Sequence, residues 1–256
     1  MIDEAGLTLF LYILMRMTGF VVFNPLWGRM NVPAMVKAGV SLVMAVFVGA
    51  FAVQNAVAVP ATAIELALRL LLELALGYLV AVVMHCFFYV PLLAGHMIDA
   101  QMGMNMSENY DPAMGTNVSL TSTSLNIMLV LLFFSAGGHI TLLRILLDSG
   151  RIIPFGSAVL GEQAVSSLLE LFASCTVLAL KLSLPVLAAE LIGQLGMGIL
   201  MKVIPQINVF AINFELKILL GLLLVTLLMP LMGEFLLGME KQMLVAIEQM
   251  IKTTIL

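Results

Sequence analysis

Apolar residues gather into long runs at roughly 5–23, 34–53, 61–94, 120–147, 164–204 and 207–256, broken by one conspicuously polar stretch. A helix needs about 20 apolar residues to cross a bilayer, so the runs predict an all-α chain of about eight to ten helical pieces. Those at 61–94 and 164–204 exceed one span and carry Pro91 and Pro185. Each reads as a broken helix or helical hairpin, because proline removes a donor from the helix ladder and biases its predecessor away from helix. The same argument marks breaks at Asn24-Pro25, Val32-Pro33, Val59-Pro60, Asp111-Pro112, Ile153-Pro154 and Ile204-Pro205. No polar linker divides the runs, so residues 1–256 read as one domain.

The polar stretch is Gln101-Met-Gly-Met-Asn-Met-Ser-Glu-Asn-Tyr-Asp-Pro-Ala-Met-Gly-Thr-Asn117. Non-helical backbone survives at membrane depth only when buried in protein or lining a wet path. Met102, Met104, Met106 and Met114 add pliable side chains that seal around varied shapes, so this island is read as a segment that closes something. The hydroxyl residues at 116, 119 and 121–124 either cap the helix that follows or line a wet path.

Composition moves the picture firmly to membrane. The chain is 62% hydrophobic and 10% charged, with a mean hydropathy of +1.15, against about 45–50% and roughly 25% in soluble domains. The net charge of −4 is scattered, which excludes a nucleic-acid footprint. Cys86 and Cys175 lie inside apolar runs and read as packing residues. Asp3 and Glu4 stand where a signal peptide needs positive charge, so the first run is expected to be retained.

Charges within the runs follow helical spacing. Glu65, Arg69 and Glu73 share one face and predict a structural ion-pair ladder; a conducted-ion path is the alternative. Near the C-terminus Glu234, Lys241, Glu248 and Lys252 oppose a stripe of Leu236, Met239, Met243, Ile247 and Met250, which predicts a helix docked on a partner or lying at a membrane surface. His96 and Asp99 are spaced to meet on a helix as a structural pair; a proton relay is the alternative. Gly137-Gly138 and Gly193, Gly196 and Gly198 predict close helix packing. With one span per run and the acidic N-terminus outside, Arg29 and Lys37 fall inside but Arg144 and Arg151 outside, against the usual bias. There is one tryptophan, Trp27. Partners that replace lipid would explain both gaps. No motif for metal binding, nucleotide binding or nucleophilic catalysis occurs, so neither enzymatic activity nor a cofactor is expected.

Four stretches, in order and spacing, resemble the FliR family of flagellar export-gate proteins and its counterparts in virulence type III secretion. They are Gln101-Met102-Gly103 with Asp111-Pro112; Gly138-His139 running into Leu142–Ser149 and Ile153-Pro154; Pro205-Gln206-Ile207-Asn208-Val209-Phe210; and Leu216-Lys217-Ile218. Arg16, Asn24-Pro25 and Val32-Pro33 with Lys37 extend the resemblance over nearly the whole chain. Two departures stand out. Relatives often carry Asn where this chain has Gly137, and many have a Gly- or Pro-containing turn where it has Ile212-Asn213-Phe214-Glu215. Nothing in Val209–Phe214 breaks a helix, so one continuous helix is expected there, and no role is carried over to Glu215.

The resemblance implies membership of a helical, hollow FliP/FliQ/FliR-type channel assembly in the bacterial inner membrane, at the flagellar basal body. The implied partners are FliP-like and FliQ-like subunits, FlhB-like and FlhA-like export proteins, and unfolded flagellar substrates. It further implies that the loop at about 104–118 plugs the channel, with Met104, Met106, Ser107, Asn109, Tyr110, Asp111, Pro112, Met114 and Asn117 in the plug. Gln101–Gly103 before it and Ser119–Asn126 after it are expected to be hinges. Gly138, His139, Pro205, Gln206, Asn208 and Phe210 are expected to be structural. The rival reading is an ion-coupled secondary transporter with Asp99 and Glu65 at a mid-membrane site.

Overall fold

The computed structural model describes residues 4–28, 32–51, 60–104, 109–111, 116–159, 161–203 and 209–254. Its elements are α1 (Glu4–Phe23), α2 (Pro25–Gly28), α3 (Ala34–Phe51), α4 (Ala63–Met102), β1 (Asn109–Asp111), β2 (Thr116–Val118), α5 (Leu120–Ser135), α6 (Gly138–Ile152), α7 (Glu162–Val203) and α8 (Val209–Thr253). The all-α membrane class holds, with one two-stranded hairpin inside it. Among the described residues, four helices are long and apolar enough to cross a membrane: Glu4–Phe23, Ala63–Met102, Glu162–Leu200 and Glu215–Thr253; the bent pair α5–α6 would make a fifth span.

The broken helices or hairpins expected at Pro91 and Pro185 do not form. α4 and α7 each continue through their proline, as α8 does through Pro230. One proline deletes one ladder hydrogen bond, which an apolar helix tolerates when its neighbours repair the gap. The sharp break falls inside the run read as continuous: α5 and α6 meet at 67°. Gly137 stands there at φ +77° and ψ +18°, in the left-handed region open to glycine and to some asparagines. Glycine here thus meets a backbone requirement, and the expected packing role for Gly137 is corrected. α8 runs unbroken from Val209, as the residues there predicted.

The chain forms two compact units, Met1–Phe87 with Gly137–Phe172 and Lys241–Leu256, and Phe88–Ala136 with Ala173–Glu240. In the first, α1 carries Tyr12, Ile13, Met17 and Phe20 into the core. α1 and α4 cross backbone to backbone: a Cβ on Gly19 would collide with the Leu74 carbonyl, and one on Gly77 with that of Arg16. Such small-residue contacts let apolar helices gain dispersion energy where no hydrophobic effect drives them together. Met243, Ile247, Met250 and Ile251 of α8 are buried in this unit.

In the second unit Leu125, Leu129 and Phe133 turn one face of α5 inward, and Phe133 meets Phe88 edge-on at 6.4 Å. Leu236 and Met239 are buried here. The C-terminal apolar stripe is therefore covered by this chain itself, correcting the expectation of a partner or a membrane surface, while Glu234, Lys241, Glu248 and Lys252 are exposed. A Cβ on Gly193 would stand 3.4 Å from the Leu220 side chain, whereas one on Gly196 or Gly198 would meet open space. Around them Ile192, Leu195 and Ile199 are about two-thirds exposed or more, a surface fit for lipid or another subunit.

Candidate functional site

The polar island is rooted in the second unit by a set of buried hydrogen bonds. α4 stops at Met102, which is fully buried. Gly103 follows at φ +81°, and its N–H bonds the Ala100 carbonyl at 3.2 Å; a side chain would strain that turn. On the far side Ser119 caps α5, its Oγ accepting the Ser122 N–H at 3.2 Å. Of the two roles open to these hydroxyls, capping is the one Ser119 takes.

The two flanks are then tied to each other. Asp99, 1% exposed, accepts the Thr121 N–H at 3.0 Å and also the Thr121 hydroxyl. Ser122 Oγ donates to the Leu92 carbonyl at 2.8 Å. Gly95 permits the approach, since a Cβ there would fall on the Ser122 backbone. Bonds to a charged group contribute about 1.5–3 kcal/mol each, so this base is a firm clamp. Within the expected hinge at Ser119–Asn126, Thr121, Ser122 and Leu125 are buried in the first turns of α5. Gly103 is the flank residue with backbone freedom.

Above the clamp, β1 and β2 pair antiparallel, Asn109 with Val118, Tyr110 with Asn117 and Asp111 with Thr116. The island thus has strand pairing where only loop was expected. Met104 is half-buried. Met106, Ser107, Pro112 and Met114 lie outside the described residues, as do Pro205, Gln206 and Asn208. Phe210 falls in the first turn of α8. Gln101 is half-buried; Gly138 is buried and His139 half-buried at the start of α6.

The predicted ladder divides. Arg69 pairs with Glu65 at 2.6 Å, both about one-third exposed, and Glu65 also accepts the Ala61 N–H at 3.0 Å. Glu73 turns instead to Arg16, Nε to Oε2 at 2.6 Å, with both side chains fully buried. Arg16 also donates to Ser149 Oγ at 3.3 Å and twice to the Ile153 carbonyl, at 3.2 and 3.1 Å. Phe155 lies 4.3 Å over its guanidinium, and the Gly156 N–H donates to Glu73 Oε1 at 2.7 Å. Helical spacing sees neighbours four residues apart, not a cation 57 positions away. The signal that could have found it was the lone arginine in the first apolar run, which cannot be buried without a counter-charge.

Asp99 and Glu65, the carboxylates of the transporter reading, are each taken up locally, by Thr121 and by Arg69. No group of three or more His, Cys, Asp or Glu side chains able to hold a metal occurs among the described residues. Cys86 and Cys175 are not joined in a disulfide, and Cys175 is buried.

These features define a membrane protein of long, proline-tolerant helices around a clamped polar hairpin. Residues 7–243 match the model of bacterial export proteins, family 1, and the chain belongs to that family. Among its relatives are proteins named flagellar biosynthetic protein FliR. That of Escherichia coli K12 is 29% identical over 231 residues, covering 90% of this chain and 87% of the relative. That of Bacillus subtilis 168 is 28% identical, covering 82% and 81%, and that of Aquifex aeolicus VF5 26%, covering 84% and 83%.

Proposed function

We propose that this chain is a non-enzymatic component of the flagellar protein export apparatus, and that its island at 104–118 is a plug closing the secretion channel at rest. Similarity to FliR proteins over most of the chain supports the first part. The observation that carries the second is the polar hairpin standing on a buried clamp between apolar helices. The chain would line the channel entrance beside FliP-like and FliQ-like subunits in the bacterial inner membrane, with FlhB-like and FlhA-like proteins nearby. Its exposed α7 and α8 faces suit such neighbours.

The physics favours a plug of this build. A secretion pore must hold back ions yet pass many side chains. A polar segment with little apolar area to bury moves at small cost, as opening elements do elsewhere. The Asp99 clamp keeps α4 and α5 together while the hairpin moves about Gly103, so opening need not disturb the surrounding helices. Deleting residues 107–115 tests this. Cells should become permeable to small ions while the complex still assembles, because the clamp lies outside the deletion. Unchanged permeability in an assembled complex would remove the plug reading.

A further inference from the structure

Beside the island's root, in the second unit, lies a cavity of about 190 Å³ between α7 and α8. Its walls are mostly leucine and methionine, with Glu190, Gln194 and Lys217 as the polar exceptions. Glu190 is 1% exposed, and neither of its carboxylate oxygens has a hydrogen-bond partner. By contrast Glu73 is satisfied by Arg16, Asp99 by Thr121 and Glu65 by Arg69. An unpaired charge in an apolar helix bundle is costly enough that such groups pair or serve function. Gly221 makes the position possible at all. A Cβ there would stand 2.6 Å from Glu190 Oε1 and 2.7 Å from Met102 Sδ, so the carboxylate, α8 and the last residue of α4 converge on one point.

Lys217 stands on the opposite helix, half-buried, lining the same cavity. It and Glu190 face the same space, yet the two do not form an ion pair in this structure. Its four-carbon stem is flexible, and the cavity leaves room for it to swing. We propose that Glu190 and Lys217 are the two halves of an ion pair that closes across this cavity, drawing α7 and α8 together beneath Met102. The structure holds the open form. Closing fills the cavity, neutralises both charges and alters the support under Gly103. That last consequence rests on the plug reading; the pair itself does not.

Charge exchange tests it: thermal midpoints are read on the whole chain purified in detergent with the subunits it retains, and secretion and ion permeability in cells carrying the same variants. Glu190→Lys and Lys217→Glu should each lower the thermal midpoint and cut secretion at least tenfold, and the double exchange should recover most of both. Should the exchanged protein not accumulate, Glu190→Met, Lys217→Met and their double give the same information. Paired groups predict a double variant no worse than the worse single. Additive losses, or Lys217→Met indistinguishable from wild type, overturn the pair and leave Glu190 to a basic group from outside this chain. If the coupling is found but ion permeability is the same in every variant, the pair stands and its link to the plug falls.

Discussion

Two glutamates, one in each compact unit, are equally hidden and oppositely treated. Glu73 is fully buried and gives both oxygens to partners, Arg16 on one side and the Gly156 N–H on the other. Glu190 is 1% exposed and gives its oxygens to nothing. Burial alone therefore says little about what a carboxylate does; the completeness of its hydrogen bonding separates the two. The Glu73 cluster joins α1, α4, α6 and the turn at 153–156 into one closed network, which is what holding a fold together requires. An incomplete site is suited to change. Asp99 is a third case: satisfied as Glu73 is, but placed at the root of the polar hairpin.

The largest effect should come from breaking the complete network. Removing one member of a buried pair leaves the other uncompensated and costs about 3–5 kcal/mol. Arg16→Met or Glu73→Met should then leave little folded chain in the membrane, measured as thermal stability in detergent and as accumulated protein. The double variant should lose less than the two singles combined, since the strongest unpaired charges vanish together. Equal and additive losses would mean the cluster is not the unit described here.

Next in size is the clamp. Asp99→Ala should cost about 1.5–3 kcal/mol locally, read as faster amide hydrogen exchange at Thr121 and Ser122. The Arg16 cluster should keep its protection, because its residues belong to the other unit. Loss of protection in both would show that the contrast between the units does not exist in solution.

The smallest effect sharpens the backbone argument. At Gly137, alanine must enter the left-handed region at a cost of about 1–2 kcal/mol. Asparagine enters it more readily, so Gly137→Asn should be nearly silent where Gly137→Ala lowers the thermal midpoint. Equal effects would sink the conformational explanation for the glycine.

What could be read along the chain were properties of neighbours in sequence. The membrane class, the helical content, the C-terminal stripe, the Ser119 cap and the polar island all follow from composition and from periods of a few residues. The stripe of Leu236, Met239, Met243, Ile247 and Met250 is buried throughout, though what covers it is this chain. Even the ion pair at Glu65–Arg69 is a four-residue event. The site was legible as a segment, but its anchoring was not.

Tertiary structure decided the rest, because each remaining feature joins residues that no short period relates. Arg16 and Glu73 are 57 positions apart, and Asp99 and Thr121 22. The approaches at Gly19–Leu74 and Gly95–Ser122 need a missing Cβ that sequence shows only as another glycine. Whether a proline breaks a helix or rides within it depends on who repairs the lost hydrogen bond, so Pro91 and Pro185 misled while Gly137 went unread as the bend. Sequence determined which groups must be satisfied or hidden. Only the fold chose their partners, and it left Glu190 without one.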